Sequence, residues 1–158
     1  MITAIITAGG VGKRMGGDTY KQFLQIHKTP ILAKTLKQFQ NHGEIDNIII
    51  VVPEDMVDST LTSIVRKYKF NKVIAVIAGG KERQNSVRNA VDIIPPETKY
   101  VLIHDGVRPF INFDFISKLI QEVKINKAVI PALKPKETIK KIKSSSVQKT
   151  IDRTRYVM

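Results

Sequence analysis

Ile- and Val-rich runs recur along the chain with amphipathic stretches between them. The runs Ile2–Ala8, Asn47–Val52, Lys72–Ala78, Tyr100–His104 and Ala128–Ala132 have the length and β-branched content of buried strands. Apolar residues at helical spacing predict helices over Ile31–Gln40, Met56–Tyr68, Ser86–Ile93 and Phe113–Lys124. This alternation predicts an α/β fold with a mostly parallel sheet covered by helices. Ligands of such sheets sit beyond the carboxyl ends of the strands, which singles out the segments after Ala8, Ala78 and His104.

Beyond Ala132 the period changes. Two alternating segments, Thr138–Ile142 and Val147–Ile151, flank Ser144, Ser145 and Ser146 and predict a hairpin. Lys134, Lys136, Lys140, Lys141 and Lys143 make it a poor core element, so it reads as a projecting arm or a solvated edge hairpin. With 158 residues and 42% hydrophobic content, the chain is long enough for one core.

Charge narrows the ligand. Twenty-six Lys+Arg against 14 Asp+Glu give +12, which favours acidic partners or reflects a solvated basic surface. With no cysteine there is no disulfide, thiolate metal site or thiol nucleophile. The Ile2–Ala8 run lacks a basic leader and is too short to span a bilayer. A cytoplasmic protein without membrane partners is therefore expected.

The three strand ends carry the candidate chemistry. TAGGVGKRMGG followed by DTYKQF gathers Gly9, Gly10, Gly12, Gly16 and Gly17 around Lys13, Arg14 and Lys21. Such a loop brings backbone N–H groups and cations to phosphate oxygens, or is a glycine-rich turn with no ligand. It matches neither the P-loop nor the dinucleotide fingerprint: Thr7 and Arg14 break the first, and Met15 the second. In AGGKERQNSV, backbone groups at Gly79 and Gly80 can read a base edge, while Ser86 either joins them or caps the following helix. In HDGVRPF, Asp105 can hold a hard cation and Arg108 can grip a phosphate, or the two form an ion pair. His104 reads as an orienting or packed residue.

Taken in order, TAGGVGKRMGG-x₃-KQF, GGKERQNSV, HDGVRPF, KETIKK and TIDR resemble the 2-C-methylerythritol 4-phosphate cytidylyltransferases of the non-mevalonate isoprenoid pathway. The resemblance implies a Rossmann-like three-layer fold, with residues 1–158 as a single nucleotidyltransferase domain. Residues 134–153 would form a β-arm that embraces a second subunit of a homodimer. It also implies transfer of CMP from CTP to the polyol phosphate with release of pyrophosphate. Arg14 and Lys21 would be catalytic at the α-phosphate, and Ala8, Gly9, Gly10, Gly12, Gly80, Lys81 and Ser86 would bind the nucleotide. Arg108, Thr138 and Arg153 would bind the acceptor, and Asp105 would hold Mg²⁺.

Several positions depart from the family pattern. Gly9 stands where alanine is usual, Gly106 and Val107 where two alanines are common, and Glu137 where aspartate is usual. Ribitol 5-phosphate cytidylyltransferases tolerate similar changes and give the alternative acceptor. The family continues past the TIDR region with further helices and a substrate-contacting lysine, and the chain reads as truncated at Met158 before them. A basic nucleic-acid-binding module is the reading from another class. With only 6% aromatic residues the chain lacks the stacking platform of single-strand binders, so no nucleic-acid partner is expected.

Overall fold

The computed structural model describes residues 1–10 and 20–158. Strand β1 (Ile2–Thr7) ends at the glycine-rich segment, after which Lys21–Phe23 forms one 3₁₀ turn. A small antiparallel hairpin follows, β2 (Gln25–Ile26) and β3 (Thr29–Pro30). Its two central residues, His27 (φ 51°) and Lys28 (φ 62°), are both left-handed, as a type I′ turn demands. Helix α1 (Ile31–Gln40), strand β4 (Asn47–Val52) and helix α2 (Val57–Thr60) come next. From Leu61 to Arg66 that helix widens into π-type turns. Then come β5 (Val73–Ala78), α3 (Arg83–Val91), β6 (Tyr100–Asp105) and α4 (Phe113–Asn126). The last strands, β7 (Lys140–Lys143) and β8 (Ser146–Thr150), form the expected hairpin around Ser144 and Ser145.

The chain divides into two compact units, Met1–Lys118 and Leu119–Met158. In the first, four parallel strands lie in the order β5-β4-β1-β6. The chain moves from β1 outward through β4 to β5, then returns past β1 to β6. Right-handed crossovers put α1 on one face of the sheet and α3 on the other when the direction reverses. Alternation along the strands agrees. Ile5, Ile49 and Val51 pack with Ala90 of α3. His104 pairs across from Ile6 and meets Phe39 of α1, ring centroids 5.1 Å apart. Leu32, Leu36 and Phe39 of α1 are fully buried, as are Ile6, Ile48 and Ile50. Burying such side chains, at roughly 1.5–3 kcal/mol each, is what holds the strand ends in place.

In the second unit the β7–β8 hairpin exposes every strand residue. Ile142 faces Val147 across the pair, and one irregularity falls between Lys141 and Ile142. The expected strand Ala128–Ala132 is absent, which corrects the sequence reading. Lys127 ends α4 in a left-handed conformation (φ 61°). Ile130 is then 79% exposed, and Pro131 has no N–H to give a ladder.

Candidate active site

Register decides what meets at the carboxyl end of the sheet. Thr7 pairs with Val51 on one side and with Asp105 on the other, so the loops after β1 and β6 leave side by side. Ala8 is fixed twice: its N–H donates to Val51 O (2.7 Å), and its carbonyl accepts from Gln22 Nε2 (2.5 Å). Gln22 is 1% exposed and thereby ties the KQF turn to the end of β1. With its N–H spent on the sheet, Ala8 retains only a second carbonyl lone pair for a ligand. Gly9 and Gly10 differ, since a Cβ on either would meet nothing within 4 Å.

The β5 end is the opposite wall. Gly80 N–H donates to Ser86 Oγ (3.0 Å), and the same hydroxyl donates to Glu82 O (3.1 Å). Ser86 is therefore not the helix cap. Glu82 is, in a capping box with Asn85, and α3 starts at Arg83 rather than at Ser86 as its periodicity suggested. A Cβ on Gly80 would overlap Asn85, so that position requires glycine, and one on Gly79 would come within 2.9 Å of Ser86 Oγ and displace the hydroxyl.

At the β6 end Asp105 is held by two guanidiniums. Arg83 Nη1 lies 2.5 Å from Oδ1, and Arg108 Nε lies 2.8 Å from Oδ2. Arg83 Nη1 also donates to Thr7 Oγ1 (3.1 Å). Partial burial is the largest influence on the Asp105 carboxyl and pushes its pKa up, but the hydrogen bonds and charges of Arg83 and Arg108 outweigh it and leave the group below its ordinary value. The turn itself is braced by Arg108 N–H to Asp105 O (3.1 Å) and by a His104 Nε2 contact to Arg108 O (3.0 Å). Burial lowers the His104 pKa, and the ring is both packed on Phe39 and bonded to the turn.

These segments enclose a cavity of about 580 Å³, within the size range of small-molecule sites. Its walls bring together Ala8, Gly9, Gly10, Lys21, Gly80, Lys81, Ser86 and Asp105 from the sequence-derived set. Thr7, Gln22 and Arg83 are wall residues that the sequence reading left unassigned. Arg108 is tied to Asp105 but is not on the wall; Thr138 and Arg153 belong to the second unit, where Arg153 donates to Lys136 O. Gly12 and Arg14, with Lys13, Gly16 and Gly17, lie outside the described residues.

Asp105 and Glu82 are the carboxylates on the cavity wall, and among the described residues no three His, Asp or Glu side chains gather as a metal cage. Mg²⁺ commonly binds through one or two carboxylates, water and substrate phosphates. Asp105 beside the Thr7 hydroxyl fits that shared mode and does not fit a free-standing metal centre.

The profile of the 2-C-methyl-D-erythritol 4-phosphate cytidylyltransferase family matches residues 2–157. The chain belongs to this family. A member from Clostridium beijerinckii is 44% identical over 146 residues, covering 92% of this chain and 63% of the relative. One from Alkaliphilus metalliredigens is 42% identical over 141 residues, covering 89% and 58%. The crystal structure of 4-diphosphocytidyl-2C-methyl-D-erythritol synthase from Anaerococcus prevotii superposes with a TM-score of 0.83 at 34% identity, over 99% of this chain and 66% of that one. The Rossmann-like cytidylyltransferase fold read from the motifs is thus the fold observed. The chain spans about three fifths of the length of the curated cytidylyltransferases it matches.

Proposed function

We propose that the protein acts as the cytidylyltransferase of its family, joining CTP to 2-C-methyl-D-erythritol 4-phosphate with release of pyrophosphate, in cytoplasmic isoprenoid precursor synthesis. The observation that carries this reading is the cavity at three strand ends, where open Gly9 and Gly10 lie in the same walls as Lys21, Gly80 and Ser86.

An acceptor phosphate oxygen attacks the α-phosphorus of CTP in line and the bond to pyrophosphate breaks. A phosphomonoester loses its second proton near pH 6, so the nucleophile is already ionised at pH 7 and no general base is needed. Catalysis then consists of aligning two anions and stabilising charge on the α-phosphate. We assign the charge to Lys21 and Arg14, the triphosphate to the backbone of Gly9, Gly10 and Gly12, and the base edge to Gly80 and Lys81. Ser86 and Gln22 hold those walls in shape. Mg²⁺ at Asp105 supplies neutralisation of phosphate oxygens when bound.

We assign Arg108, Thr138 and Arg153 to the acceptor phosphate, the last two reaching a neighbouring subunit of a homodimer. The exposed β7–β8 pair supports this, because a two-stranded hairpin is marginal until its face is covered. Pyrophosphate release with CTP and a panel of methylerythritol, ribitol and glycerol phosphates tests the reading. Preference for the methylerythritol ester is expected. Preference for ribitol phosphate changes the acceptor only, and release with none of the three overturns the assignment.

A further inference from the structure

The Oδ1 atom of Asp105 has a partner at 2.5 Å in Arg83 Nη1, and a cation approaching that oxygen meets the positive charge of the guanidinium. Two guanidiniums also leave this carboxylate in a locally positive setting, which repels a bare dication. The two arginines are not equivalent. Arg108 sits in the turn after β6, braced by its own backbone and by His104, and does not line the cavity. Arg83 is the first residue of α3, is on the cavity wall, and keeps 61% of its side chain exposed. Its fork suits phosphate oxygens as well as a carboxylate.

We propose that Arg83 competes with the divalent cation for Asp105 and so couples cation binding to the arrival of a nucleoside triphosphate. The triphosphate offers the guanidinium another set of anionic oxygens; Arg83 turns to them, and Asp105 becomes available to the metal. The site then takes nucleotide and cation together and resists either cation alone or an unescorted charge at the carboxylate. Coupling of this kind between two ligands commonly amounts to 5–150-fold and is reciprocal. The proposal rests on the reading of the cavity as a CTP site with Asp105 as its cation ligand. Arg83 is here exchanged between two anions, Asp105 in the empty site and the triphosphate in the loaded one.

Mn²⁺ binding followed by electron paramagnetic resonance tests it without turnover. Arg83→Gln should bind Mn²⁺ alone about tenfold more tightly than the unaltered protein, and the CTP-dependent gain in Mn²⁺ affinity should shrink correspondingly. Arg83→Lys, which keeps the charge but loses the fork, should fall between the two and guards against loss of fold in the first variant. Adding Asp105→Asn to Arg83→Gln should remove the gain. Equal Mn²⁺ affinity of Arg83→Gln and the unaltered protein, including no detectable binding by either, overturns the proposal. Calorimetry of CTP with Mg²⁺ present is read separately: failure of CTP to bind removes the nucleotide reading on which the proposal rests, whereas CTP binding with equal Mn²⁺ affinities overturns the coupling alone.

Discussion

Gly106 and Ala8 face each other so closely that a Cβ on Gly106 would lie 2.9 Å from the Ala8 methyl and 3.1 Å from Leu32 Cδ1. Both neighbours belong to the packed junction of β1, α1 and the turn after β6, and Thr35 Oγ1 pins the Gly106 carbonyl from α1 (2.8 Å). Gly106→Ala should therefore destabilise the protein by about 1–3 kcal/mol through overpacking. Gly9→Ala meets open space and should be neutral or stabilising by up to ~1 kcal/mol. Urea unfolding of the two variants checks the contrast; equal effects would contradict the close approach.

Ser86 tests the β5 wall. Ser86→Ala leaves the Gly80 N–H without its acceptor, while the Glu82 carbonyl keeps the Ser86 backbone N–H (3.0 Å) as its donor. A cost of about 1–3 kcal/mol in stability is expected for the unpaired group. Preference for CTP over UTP, expected to be at least about tenfold in the unaltered protein, should narrow as the Gly80 backbone loosens. If stability falls while base preference stays whole, Ser86 supports the helix and not the base site.

Lys21 and Arg153 test the division of labour. Lys21→Ala should lower kcat by roughly 10²–10³, the scale for one preorganised charge-stabilising donor, with a smaller change in CTP affinity. If Arg153 serves a neighbouring subunit's site, mixing inactive Lys21→Ala and Arg153→Ala dimers gives about half heterodimers after exchange, each with one intact site. Activity should return to about a quarter of normal. No recovery, with exchange verified by mass spectrometry, would refute the shared site.

Tyr20 carries the pH prediction. Its hydroxyl donates to both oxygens of Asp55, at 3.2 and 3.0 Å. That hydrogen bond, with small contributions from desolvation and the Asp55 charge, raises its pKa above the usual 10.0. Because the folded value is raised, the contribution to stability is complete below pH 10.0 and is lost as the pH rises through the folded value. The pair is exposed, so the contribution is small. An NMR titration should find Tyr20 ionising above a free tyrosine, and Asp55→Asn should return it to the ordinary range.

Strand Asn47–Val52 and helix Ile31–Gln40 were legible to the residue because each buries a regular set of apolar side chains in the core. Ala128–Ala132 misled because a short apolar run says nothing about whether a ladder partner exists, and Pro131 withdraws one donor from it. The β2–β3 hairpin was missed since neither His27 nor Lys28 advertises a left-handed turn. In the site, glycines and the Asp105–Arg108 pair, three residues apart, could be read locally. Arg83 to Asp105 and Gln22 to Ala8 could not, because those pairings depend on strand register and on where a helix begins. Glu82 followed by Asn85 was the one local signal that α3 starts early.

The His27–Lys28 turn shows where this protein has room to improve. Two side-chain-bearing residues hold backbone angles that Asn-Gly adopts with little strain, a penalty of order 1 kcal/mol each, in the loop that joins the Lys21 turn to α1. Ile31 N–H donates to Leu24 O (2.9 Å) and closes that loop, so its geometry is already enforced by its ends. Grafting Asn-Gly at 27–28 should raise the melting temperature while leaving turnover alone. The turn would then serve as a stabilising handle for engineers who need Lys21 and the cavity wall undisturbed.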